Sequence, residues 1–293
     1  MQQFSIKAME RLSGIKAHTL RIWEKRYGIL QPMRLVGNHR NYSNEDLKIL
    51  LRIVFLYEKG HRIREIARLS DTEMQQLLEL EHHNGNSTRA NILAMLAAIM
   101  ELEEDEMDKM FMRITRQYGF GGAMLDIVFP LLSQLGHLWM SDRIQPVQEH
   151  FASNFIIRKT LVAKNEIAFN PLPIGASILL FTPKGEHHEI GLLYMSYLLR
   201  LNGFNTVYIG TNADMQTIDM YFQRCRPTHF FVYLTGNLQD KDPEEYLGIL
   251  VKKYPEARVV AGGVVVKEIK EIPGCKILRN GVEMLQFSRH LHE

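Results

Sequence analysis

The stretch Ala176-Ser177-Ile178-Leu179-Leu180-Phe181-Thr182-Pro183-Lys184-Gly185-Glu186-His187-His188-Glu189-Ile190-Gly191 sets the reading of the fold. Its first seven residues form an apolar run of strand length. A polar loop follows, and helical spacing then runs from Glu189 to Leu201. Ahead of it, Asn170-Pro171-Leu172-Pro173 marks a boundary. Beyond it, Thr206–Ile209, His229–Leu234, Arg258–Ala261 and Cys275–Leu278 read as further strands. Helices are expected at about Met215–Cys225 and around Glu244–Tyr254. Fully apolar strands alternating with helices predict a parallel sheet covered on both faces. Ligands of such sheets bind outside the carboxyl ends of the strands, which places Glu186 and His188 at a candidate site.

Working toward the N-terminus, four helical stretches without strand pattern are expected at roughly 89–101, 103–118, 121–139 and 145–168, with breaks at Glu103–Glu106, Gly119–Gly122 and Ser141-Asp142. Short loops between four helices predict a bundle. The polar, turn-rich residues 81–90 read as a linker. Residues 1–75 read as short helices and one ribbon. Phe4–Lys7 opens a first helix, and Leu20, Trp23 and Tyr27 share a face of a second that ends at Gly28. Pro32–Tyr42 forms two basic arms around Gly37-Asn38. The expected architecture is multidomain α and α/β: a helix-turn-helix head over 1–78, a four-helix bundle over 88–170, and a Rossmann-like parallel-sheet domain over 174–293.

The 293 residues are 46% hydrophobic and 23% charged, which excludes disordered, collagen-like and disulfide-scaffold classes. Two cysteines, Cys225 and Cys275, give no disulfide framework and fit a reducing cytoplasm. No apolar run approaches the roughly 18 residues of a membrane span, and the N-terminus lacks a signal-peptide core, so no membrane role is expected. The net charge of +2 is uneven. Residues 1–75 carry 14 Lys and Arg against 8 Asp and Glu, whereas the remainder carries 21 against 25. A basic head on an acidic body points to an anionic partner for the head, with DNA the obvious candidate.

Two helices across a short turn can set the second in a major groove. His18, Thr19, Arg21, Lys25 and Arg26 would then reach bases or phosphates, and Arg34, His39 and Arg40 would touch flanking phosphates. In the later loop, an imidazole at His188 suits a transition metal, and a carboxylate two residues earlier can hold its other nitrogen. Gly191 would admit a bulky ligand beside the helix start. A zinc-protease reading fails, because position 192 is Leu rather than a second His. In the bundle, Trp139 precedes Glu149-His150 by ten residues. An indole can cover an apolar ligand face while the pair hydrogen-bonds a sugar; the plainer reading is a core Trp and a surface pair.

The run Thr19-Leu20-Arg21-Ile22-Trp23-Glu24-Lys25-Arg26-Tyr27-Gly28-Ile29-Leu30-Gln31-Pro32, with Arg34, Arg40, Tyr42 and Ser43, resembles the winged-helix head of the MerR family of regulators. Trp23 and Tyr42 read within it as core residues, although Tyr42 is carried with Arg40 among the DNA-side candidates. The order Glu186-x-His188-x-x-Gly191, Thr235, Gly262-Gly263 resembles the cobalamin-binding domains of corrinoid enzymes and sensors. The resemblance implies His188 as lower cobalt ligand, Glu186 as its partner, His187 as a bystander, and Thr235, Gly262 and Gly263 along the nucleotide-tail slot. Here Glu186 stands in place of the usual Asp, and Leu234–Leu238 matches the usual Ser-x-Leu at its first place alone. Trp-x9-Glu-His between the two is similar to the CarH/LitR light-sensing repressors. That implies a repressor, not an enzyme, holding operator DNA as an adenosylcobalamin-stabilised dimer or tetramer that light disassembles. Trp139, Glu149 and His150 would pack around the adenosyl group. The family's His after the Trp is Met140 here, a softer thioether at the upper side of cobalt. The alternatives are a regulator of the same architecture outside cobalamin or light control, and a corrinoid methyltransferase module.

Overall fold

Ser5 accepts the backbone N–H of Ala8 (3.3 Å) and so starts the first helix, α1 (Ile6–Ser13), which Gly14 ends at φ 72°. The two residues before α1 are not helical. Phe4–Ser5 is a strand, β1, paired antiparallel with β3 (Arg40–Tyr42), which also pairs with β2 (Met33–Arg34) in the order β1-β3-β2. The expected ribbon is therefore present with an additional strand. Helix α2 (Ala17–Tyr27) lies between; Glu10 of α1 accepts the Ala17 N–H (3.1 Å) and pairs with Lys16 (3.1 Å), fixing the turn between the helices. A Ser43–Asp46 capping box opens α3 (Asn44–Glu58), and α4 (Ile63–Ile66) and α5 (Asp71–Asn84) follow.

The computed structural model describes residues 4–34, 40–84, 88–140, 144–168, 170–172, 176–236, 238 and 242–291. The chain divides into two units, Met1–Ala152 and Ser153–Glu293. Within the first, α5 runs to Asn84, into the stretch expected to be linker. A second capping box, Ser70 with Glu73, starts α5, and a His61–Glu81 contact (2.9 Å) holds its far end. Helix α6 (Thr88–Glu101) then packs on α3. Arg89 donates to the Ser13 carbonyl (2.7 Å) and pairs with Glu58 (2.6 Å), while Lys48 pairs with Glu101 (3.3 Å), so this helix is tied to the head at both ends. Helix α7 (Glu104–Ala123) is interrupted at Gly119 (φ 69°, ψ 165°), where the break was expected; a π-helical turn Met124–Val128 leads into α8 (Phe129–Met140). The stretch Glu104–Gly136 is long and apolar enough by composition to cross a membrane, but a core helix passes the same test. Its Met107, Phe111, Ile114, Ile127 and Leu131 are buried. Helix α9 (Pro146–Asn165) starts in the first unit, where Gln148 donates to the Met100 carbonyl (2.9 Å).

The second unit is built on a five-stranded parallel sheet, order β5-β4-β6-β7-β8, of β4 (Ser177–Pro183), β5 (Asn205–Ala213), β6 (His229–Tyr233), β7 (Arg258–Gly262) and β8 (Cys275–Leu278). Helices α10 (Ile190–Leu201), α11 (Met215–Cys225), α12 (Pro243–Lys253) and α13 (Gly281–Arg289) accompany it, and α10 packs with α13. Alternate strand residues Leu179, Phe181, Phe230, Val232, Val259 and Ala261 meet Phe222, Leu247, Leu250 and Tyr254 in one core. Phe222 and Phe230 each pack against Tyr254, with centroids 4.7 and 5.0 Å apart. Because β4 lies between β5 and β6, the strand order reverses at β4/β6, the position where open parallel sheets form a ligand crevice.

His229, at the start of β6, is 8% exposed, and burial with the nearby Arg258 charge pushes its imidazole down to about 4. The unfolded chain binds a proton near pH 6.5 that the folded unit refuses. This stability is therefore complete above pH 6.5 and lost as the pH falls toward 4, by about 3 kcal/mol in all. Urea titrations from pH 7 to 4 should show that slope in the wild type and a shallower one in His229→Gln; equal slopes would remove His229 as the cause.

Candidate functional site

In the head, Leu20 and Trp23 are buried, and Trp23 meets Tyr57 edge-on at 5.3 Å. The opposite face of α2 carries His18, Arg21, Ile22 and Lys25, all exposed, as is Arg26; Thr19 is half-buried. The spacing i, i+3, i+4, i+7 places these groups on one outward stripe. Tyr42 is a correction to the DNA-side set. It is fully buried, its hydroxyl donates to Glu24 (3.2 Å), and burial and the Glu24 charge raise its phenol above the usual range. Arg40 donates through Nε to both Glu24 oxygens (3.0 and 3.2 Å), so Arg40 and Tyr42 together fasten β3 onto α2. The side chain of Arg34 and the whole of His39 lie outside the described residues.

In the second unit the loop after β4 is shaped by its backbone. The Thr182 hydroxyl donates to the Glu186 carbonyl (2.6 Å), and Asn212 accepts the Gly185 N–H (2.8 Å) through its side chain. Glu186, 4% exposed, then gathers five hydrogen bonds. Its Oε1 accepts the His188 backbone N–H (3.0 Å) and Nδ1 (2.7 Å). Its Oε2 accepts the Thr235 N–H (2.7 Å), the Thr235 hydroxyl (2.9 Å) and the Gly236 N–H (3.0 Å). Burial alone would raise this carboxyl; the bonds from His188, Thr235 and Gly236 override it and hold it well below the usual carboxylate range. A carboxylate only accepts, so the His188 Nδ1 carries the proton, and Nε2 is the nitrogen with a lone pair to offer. The His188 side chain is 72% exposed. Glu186 thus joins the loops after β4 and β6 and orients one imidazole outward.

Gly191, Gly262 and Gly263 lie close to the same strand ends and serve the packing of the chain itself. A Cβ on Gly191 would enter the Tyr233 ring, one on Gly262 would approach Phe231 at 3.1 Å, and one on Gly263 (φ 125°) would overlap the Leu234 carbonyl. Tyr233 escaped sequence reasoning because it is simply the last residue of an apolar strand. In the first unit, Trp139 on α8 is 44% exposed, so it is not a core residue. Glu149 and His150 on α9 contact each other (2.9 Å). The side chain of Met140 lies outside the described ones. Among the described residues no three His, Cys, Asp or Glu groups cluster as a metal site.

Residues 4–73 match the family described as MerR HTH family regulatory protein. The N-terminal head is a MerR-type domain. The likeness extends beyond it: the chain is 28% identical over 275 residues to the HTH-type transcriptional repressor CarA of Myxococcus xanthus, covering 90% of this chain and 87% of that protein. It is 26% identical over 261 residues to the repressor CarH of the same organism, covering 86% and 85%. The HTH-type transcriptional regulator MlrA of Escherichia coli matches 73 residues, 25% of this chain, at 30% identity. These relatives are named as transcriptional regulators. In fold it is similar to the monomethylamine corrinoid protein of Methanosarcina barkeri, with a TM-score of 0.54 at 14% identity, covering 67% of this chain and 96% of that one.

Proposed function

We propose that this MerR-type regulator is a cytoplasmic, cobalamin-dependent repressor. In this reading residues 1–78 bind double-stranded operator DNA, 88–170 form a helical cap, and 174–293 hold adenosylcobalamin. The observation that carries it is the Glu186–His188 pair: a buried, ionised carboxylate fixes the tautomer of one outward imidazole at the switch point of the sheet. A single protein ligand suits a metal that arrives with its equatorial nitrogens already supplied by a macrocycle, and no other described residues crowd together as a metal site. When bound, the cofactor supplies a light-labile cobalt–carbon bond. The residues of the chain do the rest. His188 would offer Nε2 to cobalt, with Glu186 keeping the ring in place. By the resemblance, the exposed Trp139 indole would offer an apolar face to an adenosyl group, and Glu149 with His150 would offer hydrogen bonds to its hydroxyls. Several heads in one oligomer would hold DNA more tightly than one, through effective concentration.

The test is reconstitution with adenosylcobalamin in darkness, followed by absorbance, size-exclusion elution and DNA mobility shift before and after green light. The expected result is a larger, DNA-binding species in the dark that light converts to a smaller one with weaker binding. His188→Ala should change the absorbance of the bound cofactor. An oligomer and DNA affinity indifferent to cofactor and light would leave a regulator of the same architecture under other control. Methyl transfer without DNA binding would point instead to a corrinoid enzyme.

A further inference from the structure

A cleft of about 440 Å³ opens at the amino ends of β6, β7 and β8, the end of the sheet opposite the Glu186–His188 loop. The pairing of these strands builds it. His229 lies beside Arg258, and Val260 lies beside Lys276, so the four side chains share one face of the sheet. The other face, with Val259 and Ala261, is packed into the core already described. Phe287 near the end of α13 and Leu291 just beyond it close the cleft, and the Lys276 ammonium lies 5.3 Å from the Phe287 ring centroid.

Arg258 and Lys276 are both exposed. Among the described residues no carboxylate lines the cleft, and no ion pair holds either cation. Burial keeps the neighbouring His229 and Cys275 uncharged at pH 7, the imidazole pushed down to about 4 and the thiol up to about 12. The cleft thus sets two fixed cations beside an apolar wall of Val260, Phe287 and Leu291. Apolar lining with a few convergent polar groups is the make-up of small-molecule pockets of this volume. We propose that the cleft binds a small organic anion, its carboxylate held by Arg258 and Lys276 and its apolar body, about one aromatic ring in size, laid against Phe287 and Leu291. A guanidinium presents parallel N–H groups that match the two oxygens of a carboxylate, and the ammonium adds a second charge-assisted bond. Such a ligand would give the chain an input at the end of the sheet away from His188, whether or not a corrinoid binds there.

The experiment is calorimetric titration of the full-length chain at pH 7 and constant ionic strength with three probes. Benzoate carries both the charge and the ring, benzamide is its neutral isostere, and acetate keeps the charge without the ring. Benzoate should bind with a Kd of about 1 mM, and benzamide and acetate about tenfold more weakly. Arg258→Gln and Lys276→Gln should each weaken benzoate about tenfold. Arg224→Gln, at an exposed cation on α11, should leave it within about twofold. Should either glutamine variant lose its circular dichroism, the three probes on the wild type still decide. Benzamide matching benzoate would mean that charge is not recognised, and acetate matching it would mean that the apolar wall is not used. Either result overturns the proposal, as does benzoate binding that survives both substitutions or is absent at about 10 mM.

Discussion

Gly263→Ala is expected to cost the second unit about 4 kcal/mol, lowering its melting temperature by about 12 °C. Two causes act together. Gly263 sits at φ 125°, a backbone conformation that L side chains rarely adopt, and its absent Cβ would overlap the carbonyl of Leu234. That obstacle is backbone, so no rotamer change relieves it. Leu234 is fully buried, and its N–H donates to the Gly262 carbonyl (2.9 Å). Moving it aside breaks this bond and withdraws an apolar side chain from the core. The adjacent Thr235 and Gly236 N–H groups would be carried away from Glu186 at the same time. Gly262→Ala is the control, because its Cβ would meet aromatic side chains and no backbone: the Phe231 ring at 3.1 Å, an edge that can shift by a few tenths of an ångström, and the Tyr233 ring at an ordinary 3.7 Å. Thermal melts by circular dichroism should therefore separate the two variants widely. A Gly263→Ala protein melting within 3 °C of the wild type would show that the two loops are not locked as described.

The parallel sheet was legible because its strands are buried on both sides and carry the continuous apolar runs that this requires. The expected limits of α11 (Met215–Cys225) and of the last strand (Cys275–Leu278) match those observed. Their order was not legible, since pairing partners depend on crossovers that periodicity does not encode. Phe4–Ser5 could not be recognised as a strand: two residues have no period, and its partner lies some 37 residues away. The final helix, Gly281–Arg289, was missed although Asn280 caps it through the Glu283 N–H (2.9 Å). At the candidate site, the Glu186–His188 pairing was legible from a spacing of two. The Thr235 and Gly236 donors that complete the Glu186 shell come from another loop, so proximity in sequence gave no sign of them. The roles of Arg40 and Tyr42 were hidden in the same way. Both are basic-arm residues in sequence, and both are spent on Glu24 in space.

Glu186→Gln should destabilise the second unit by about 4 kcal/mol at pH 7, although it alters a single atom. The wild-type side chain is an acceptor on both sides, facing two donors from His188 on one oxygen and three donors from Thr235 and Gly236 on the other. An amide has one acceptor oxygen. Whichever way it turns, its NH2 meets donors: either the His188 N–H, with its ring forced to change tautomer, or the Thr235 and Gly236 N–H groups lose their acceptor, at about 1–3 kcal/mol for each group. If the NH2 faces His188, the ring must move its proton to Nε2 to accept, and the nitrogen that would ligate a metal is then protonated. If it faces Thr235 and Gly236, the clasp between the two loops opens instead. The acid dependence follows with a definite sign. The Glu186 carboxyl is held below its unfolded value near 4.3, so its stabilisation is complete above that pH and is lost as pH falls through the folded value. The gap between wild type and Glu186→Gln in urea denaturation should thus be widest at neutral pH and narrow once the pH drops below about 4. Taking the difference between the two proteins cancels the His229 contribution, which both retain. A gap under 1 kcal/mol at pH 7, or one that grows in acid, would mean that the carboxylate does not hold this corner of the sheet, and His188 would then lack the fixed tautomer on which its ligand role depends.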